Sequence, residues 1–156
     1  MQPVQEDNDY LVLAAYFSGT QSVGVIPAPV PVHTPAATGP APEVNVTVSS
    51  AGSTTIDVLT TTSNASGILT ALFFKSDYDN VFSREGIDEE LIAKYGNAWT
   101  AEQVEQANNG GYTLQYISLP PETEFVMLIS VSSAAGKATL KKEIIATEPY
   151  VDPSAE

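Results

Sequence analysis

Cysteine is absent from the 156 residues. That removes disulfides, thiol nucleophiles, thiolate zinc sites and iron–sulfur clusters from consideration. Bases are scarce as well, with six Lys and Arg against 19 Asp and Glu and a formal net charge of -13. Such a chain lacks the cationic surface that displaces counterions from nucleic acid or meets anionic headgroups, so neither nucleic acid nor direct membrane insertion is expected. No apolar run approaches the roughly 20 residues of a membrane-spanning helix. The longest, Tyr10–Phe17 and Phe125–Val131, have strand length. The opening Met1-Gln2-Pro3-Val4-Gln5-Glu6 carries no base and so no signal-peptide n-region. An export signal is therefore expected upstream of this fragment.

Histidine occurs once, as His33 between Val32 and Thr34, with no acid, serine or cysteine near it in sequence to build a triad or a metal site. The plentiful acids fall on loops and helix starts, where solvation and capping account for them. The expectation is that the chain is not an enzyme.

A repeat gives the organisation. Asp7-Asn8-Asp9-Tyr10-Leu11-Val12-Leu13-Ala14-Ala15 returns in outline as Glu122-Thr123-Glu124-Phe125-Val126-Met127-Leu128-Ile129-Ser130. Each copy has an acid, a polar residue, an acid, an aromatic and an apolar run. Each is followed by a glycine-containing turn (Gly19; Gly136) and a threonine near proline (Thr34; Thr147). Internal repeats reveal the structural unit. Residues 1–34 read as two strands, Tyr10–Phe17 and Val23–Val32, the second confined to a sheet edge by Pro27, Pro29 and Pro31. Residues 35–42 are a Pro/Ala-rich linker.

Beyond the linker, Val44, Val46 and Val48 alternate with polar residues, as do Ile56, Val58 and Thr60, the pattern of half-buried strands. Ile68–Phe74 is apolar enough for a central strand. Asp88–Tyr95 is helical, with acids in its first turn and Gly96 as its stop. Thr100-Ala101-Glu102-Gln103 matches a capping box that opens a second helix, with Val104 and Ala107 facing inward. Strands resume at Tyr112–Leu119, Glu124–Ser132 and Ala138–Thr147. About seven short strands punctuated by turns predict an all-β, immunoglobulin-like antiparallel sandwich. A helical insert at about 81–109 is expected where the chain crosses between sheets.

Leu119-Pro120-Pro121-Glu122-Thr123-Glu124-Phe125-Val126-Met127-Leu128 resembles the fibronectin type III family, in which Leu-x-Pro-Gly-Thr-x-Tyr-x-Val enters the sixth strand. Ala135-Gly136, Thr147 and the first two strands fit the same family. The chain looks most like modules of exported multidomain proteins of gut Bacteroidetes. The resemblance implies a complete module over 43–148, a two-strand remnant of a preceding module over 1–34 and a linker over 149–156. It departs from the family at Glu122 (usually glycine), Phe125 (usually tyrosine, whose hydroxyl ties the corner) and Thr60 (commonly a core tryptophan).

The expected role is a non-catalytic spacer or scaffold module in a tandem array, at the cell surface or outside the cell, whose partners are neighbouring modules of the same polypeptide. Two other readings attach to the insert. Tyr78, Phe82, Tyr95 and Trp99 are candidate stacking residues for a glycan or protein ligand. Asp77, Asp79 and Asn80 are candidate oxygen ligands for calcium, though the glycine and downstream glutamate of an EF-hand loop are missing. No other cofactor is expected. The exposed apolar residues of 1–34 imply packing on the intact module or on a second chain, as a swapped or edge-paired dimer.

Overall fold

Period-two apolar patterning and turn residues set the course of the backbone in the computed structural model, which describes residues 9–12, 17–18, 21–22, 28, 30–36, 38–82 and 86–154. The chain divides into two compact units, Met1–Gly39 and Pro40–Glu156.

In the first unit, β1 (Asp9–Val12) pairs antiparallel with β4 (Val30–His33), and β2 (Phe17–Ser18) with β3 (Gln21–Ser22). The expected strands Tyr10–Phe17 and Val23–Val32 lie partly outside the described residues, as do Pro27 and Pro29. Phe17 and Ser18 pair with Ser22 and Gln21, while residues 19–20 of the turn expected over Ser18–Ser22 lie outside the described residues.

Among its described residues the second unit has seven strands: β5 (Glu43–Ala51), β6 (Ile56–Ser63), β7 (Gly67–Phe74), β8 (Asn97–Ala98), β9 (Tyr112–Tyr116), β10 (Glu124–Ser132) and β11 (Ala138–Ala146). They form two antiparallel sheets, β5-β6-β9 and β11-β10-β7-β8. This is an immunoglobulin-like, fibronectin type III-like sandwich. Ile56, Val58, Thr60 and Thr62 of β6 alternate inward against Phe125, Met127, Ile129 and Val131 of β10, all of them buried. Val44 and Val46 pack partly buried on that core. Val48 departs from the sequence expectation and is 42% exposed. Beside it the extra residue Ser49 forms a bulge in this edge strand, and bulges bend a strand away from its flat course.

β10 is buried on both faces. Phe125 to Ile129 are buried without interruption, so the continuous apolar run of β10 reflects cover from two sides. The inner face meets the opposite sheet. Over the outer face lie α1 (Lys75–Asp77), a π-helical turn (Tyr78–Phe82) and α2 (Ile87–Tyr95). Tyr78, Ile87, Leu91 and Ile92 close over Ala71, Val126 and Leu128 to make a second apolar cluster. Helical structure thus begins at Lys75, ahead of the expected start near 81. Gly96 ends α2 for a steric reason: a Cβ there would lie 2.3 Å from the Ile92 carbonyl oxygen, while the Gly96 amide donates to that same oxygen.

The third helix, α3 (Ala101–Asn108), serves the other core. Its capping box is complete, with Thr100 Oγ1 accepting from Gln103 N and Gln103 Oε1 from Thr100 N, an arrangement worth about 1 kcal/mol. Val104 and Ala107 enter the inter-sheet core as the sequence predicts. The insert is therefore two structures serving opposite faces of one sheet.

Candidate functional site

The three departures from the family pattern are the places where a specialised surface would be expected. Thr60 is fully buried in place of the common tryptophan. Its cross-strand neighbour is Tyr112, and Trp99 packs edge-on against that ring at 5.1 Å. Trp99 also donates its indole N–H to Thr70 Oγ1 at 3.0 Å. The ring volume missing from β6 is thus supplied from the insert. Nearby, the Tyr116 hydroxyl is buried without a well-aligned partner. Burial pushes its pKa up to about 12, and the neighbouring Thr70 hydroxyl only partly offsets this.

The corner is fastened by a different residue. Phe125 has no hydroxyl and instead packs on Phe74 at 5.2 Å. Thr147 Oγ1 donates to the Pro120 carbonyl at 2.7 Å and accepts from Thr123 N at 3.0 Å, and Thr147 N donates to the Thr123 carbonyl. Glu122 adopts φ 50°, the left-handed conformation for which glycine is favoured. A non-glycine residue in that left-handed geometry carries local strain.

The four candidate aromatics do not form one face. Tyr78 and Phe82 pack into the outer cluster, Tyr78 at 6% exposure. Trp99 packs on the inner core. Tyr95 is 48% exposed, with its ring edge-on to Phe73 at 6.0 Å and the Lys94 ammonium 5.1 Å above it. Tyr78 has a structural use that no local pattern announces. Its hydroxyl donates to Asp88 Oδ1 at 2.5 Å and accepts from Lys142 Nζ at 2.8 Å, and Lys142 lies 3.2 Å from Asp88 Oδ2. Burial and the Asp88 carboxylate raise the Tyr78 pKa. These contacts clamp the helical layer to β11.

The calcium candidates are dispersed. Asp79 is engaged by Lys75 at 2.6 Å, while Asp77 and Asn80 are exposed. Among the described residues, no group of three or more His, Asp or Glu side chains could hold a metal ion. His33 does have an acidic neighbour: Asp9, its cross-strand partner, lies 2.9 Å from Nδ1 on the surface. The hollows are shallow and open. One of about 400 Å³ is lined by Lys75, Ser76, Asp79, Glu122, Thr123 and Glu124. No helix among the described residues is long and apolar enough to cross a membrane.

The most pronounced geometric feature is the placement of the module's two chain connections. Pro42 is held by Thr139 Oγ1, which donates to its carbonyl at 2.7 Å. That pole also contains the Ser63–Gly67 turn and the link from Ser132 to Ala138. Thr147 and Glu148 leave at the opposite pole, where Glu148 N donates to the Gly52 carbonyl and Glu122 N to the Glu148 carbonyl. Strands of nine residues separate the poles, about 30 Å of extended chain.

No family model matches the sequence, and no curated protein matches it. Among solved structures the chain is similar to the crystal structure of the chicken CNTN1 FN1-FN3 domains, at 16% identity and a TM-score of 0.42. The match covers 93% of this chain and 44% of that one, so the chain spans less than half of its length.

Proposed function

We propose that Pro40–Glu156 is a non-catalytic spacer module in a tandem array of an exported or cell-surface protein. The observation that carries this reading is the anchoring of the chain at opposite poles, by Pro42–Thr139 at one and by Thr147 with Glu148 at the other. A module linked in this way adds its long axis to the polypeptide, and short Pro-rich linkers restrict the hinge between modules.

The hairpin of the first unit supports the array. Asp9, Tyr10 and Val12 pair with His33, Val32 and Val30, while Glu124, Phe125 and Met127 pair with Ala146, Ile145 and Glu143. In both hairpins the threonine of the repeat, Thr34 or Thr147, follows the partner of the acid. The sequence repeat thus extends to strand register, as expected for the last two strands of a preceding module. Its partners would be the neighbouring modules, or a second chain if the hairpin exchanges. The resemblance to exported bacterial modules supports an extracellular location.

Small-angle scattering should separate this reading from its rivals. The 156-residue chain is compared with a version in which residues 40–148 are duplicated in tandem. The longest dimension should grow by about one module length, roughly 30–40 Å. An unchanged longest dimension would contradict the spacer role. A second reading, a glycan- or protein-binding face, now rests on Tyr95, the candidate aromatic left half exposed. Binding on a glycan array that disappears in Tyr95→Ala would favour it.

A further inference from the structure

The chain contains one Asn-Gly dipeptide, Asn109-Gly110, directly after α3. Both residues are exposed. The amides on either side of Gly110 are held, Asn109 N by the Glu105 and Gln106 carbonyls and Gly111 N by the Gln106 carbonyl. The Gly110 amide finds no acceptor among the described residues. A Cβ built on Gly110 would meet nothing within 4 Å, so no side chain from elsewhere in the fold crowds the space beside its Cα. The adjacent Asn108 is in the opposite situation. Its Oδ1 accepts from Thr62 Oγ1 and Ala65 N, and its Nδ2 donates to the Ala65 carbonyl.

We infer that Asn109 is a self-modification site, converted through a succinimide to aspartate and isoaspartate. The Gly110 nitrogen, its proton taken by solvent base, attacks Asn109 Cγ. The new N–C bond closes a five-membered imide, and the Cγ–Nδ2 bond breaks to release ammonia. Water then opens the imide at either carbonyl. No oxidant or cofactor is required. The product places a carboxylate at the C-terminal end of α3, where the helix dipole disfavours negative charge. It also adds an acid to a hollow already lined by Glu102 and Glu105. Because α3 carries Val104 and Ala107 of the inner core, the reaction acts as a slow clock on the stability of the module.

The test incubates the intact protein at mildly alkaline pH and about 37 °C. Peptide mass spectrometry then reads amide loss at each asparagine, and enzymatic methyl labelling reads isoaspartate. Amide loss and isoaspartate should concentrate at Asn109, with Asn108 intact and the Asn64-Ala65, Asn80-Val81 and Asn97-Ala98 pairs far behind. The isoaspartate signal should vanish in Asn109→Gln. Gly110→Ala is a weaker control because Gly110 sits at φ 129°, which strains any L side chain. Asn109→Asp, which imitates the product, should melt about 2–4 °C lower than the parent. An Asn109 as durable as Asn64 would overturn the site. An unchanged melting temperature in Asn109→Asp would overturn the stability clock.

Discussion

The two faces of the β10-containing sheet are built from the same strand and closed in different ways. The inner face meets a second sheet, so Phe125, Met127, Ile129 and Val131 lie in an inter-sheet core shared by both sheets and α3. The outer face carries only Val126 and Leu128 of β10 under a short helical layer, clamped at its rim by Tyr78, Asp88 and Lys142. The inner core therefore belongs to the cooperative unit of the fold. The outer core belongs to an added layer that can open on its own, since local stability follows the density of buried contacts.

Truncating adjacent residues of β10 should expose that difference most strongly. Met127→Ala, on the inner face, should cost about 3–5 kcal/mol and lower the melting of the whole module. Leu128→Ala, on the outer face, should cost about 2–4 kcal/mol, felt first as faster amide exchange in α2. If both variants accelerate exchange equally across α2 and β6, the two cores form one cooperative unit.

The tyrosines sharpen the comparison. In the unfolded chain a phenol ionises near 10, whereas folded Tyr116 ionises at about 12. The folded state holds that proton through the interval, so stability falls as pH rises from 10 to about 12. By linkage, the full loss across that interval is about 2–3 kcal/mol. Denaturant melts across this range should be flattened by Tyr116→Phe, and an unchanged slope would remove Tyr116 as the cause.

Thr147→Val keeps the shape of the last inward residue but strips the corner of its hydroxyl. It should cost about 1–3 kcal/mol, because the Pro120 carbonyl and Thr123 amide lose their shared partner. A neutral effect in chemical denaturation would mean that the corner is held elsewhere. The smallest change is a gain: Glu122→Gly should stabilise by about 1 kcal/mol by removing a left-handed non-glycine residue.

The inner core is largely legible in the sequence. Alternation in β6, the capping box at Thr100 and the apolar run of β10 are local signals, and each appears in the fold as expected. The outer layer is legible only as helical propensity. Spacing along Tyr78, Phe82, Tyr95 and Trp99 does not say that the chain rejoins β7 after Gly96 and sends Trp99 to the opposite face. The Tyr78–Asp88–Lys142 clamp is invisible locally because Lys142 is distant in sequence. The same holds for His33 and Asp9, brought together by strand pairing across 24 positions. Glu122 in place of glycine predicts a differently shaped turn; its φ of 50° lies in the left-handed region that glycine favours.

The most direct measurement of the central claim is the distance between the two chain connections of the module. The absence of cysteine makes paired labelling clean: Ala41→Cys and Tyr150→Cys take a donor and an acceptor dye at exposed positions. Energy transfer should report a separation of about 30 Å or more, set by strand length, that stays constant until the module melts. Labels at less than about half that distance, or a separation that drifts well below the melting transition, would contradict a rigid spacer entered at one pole and left at the other.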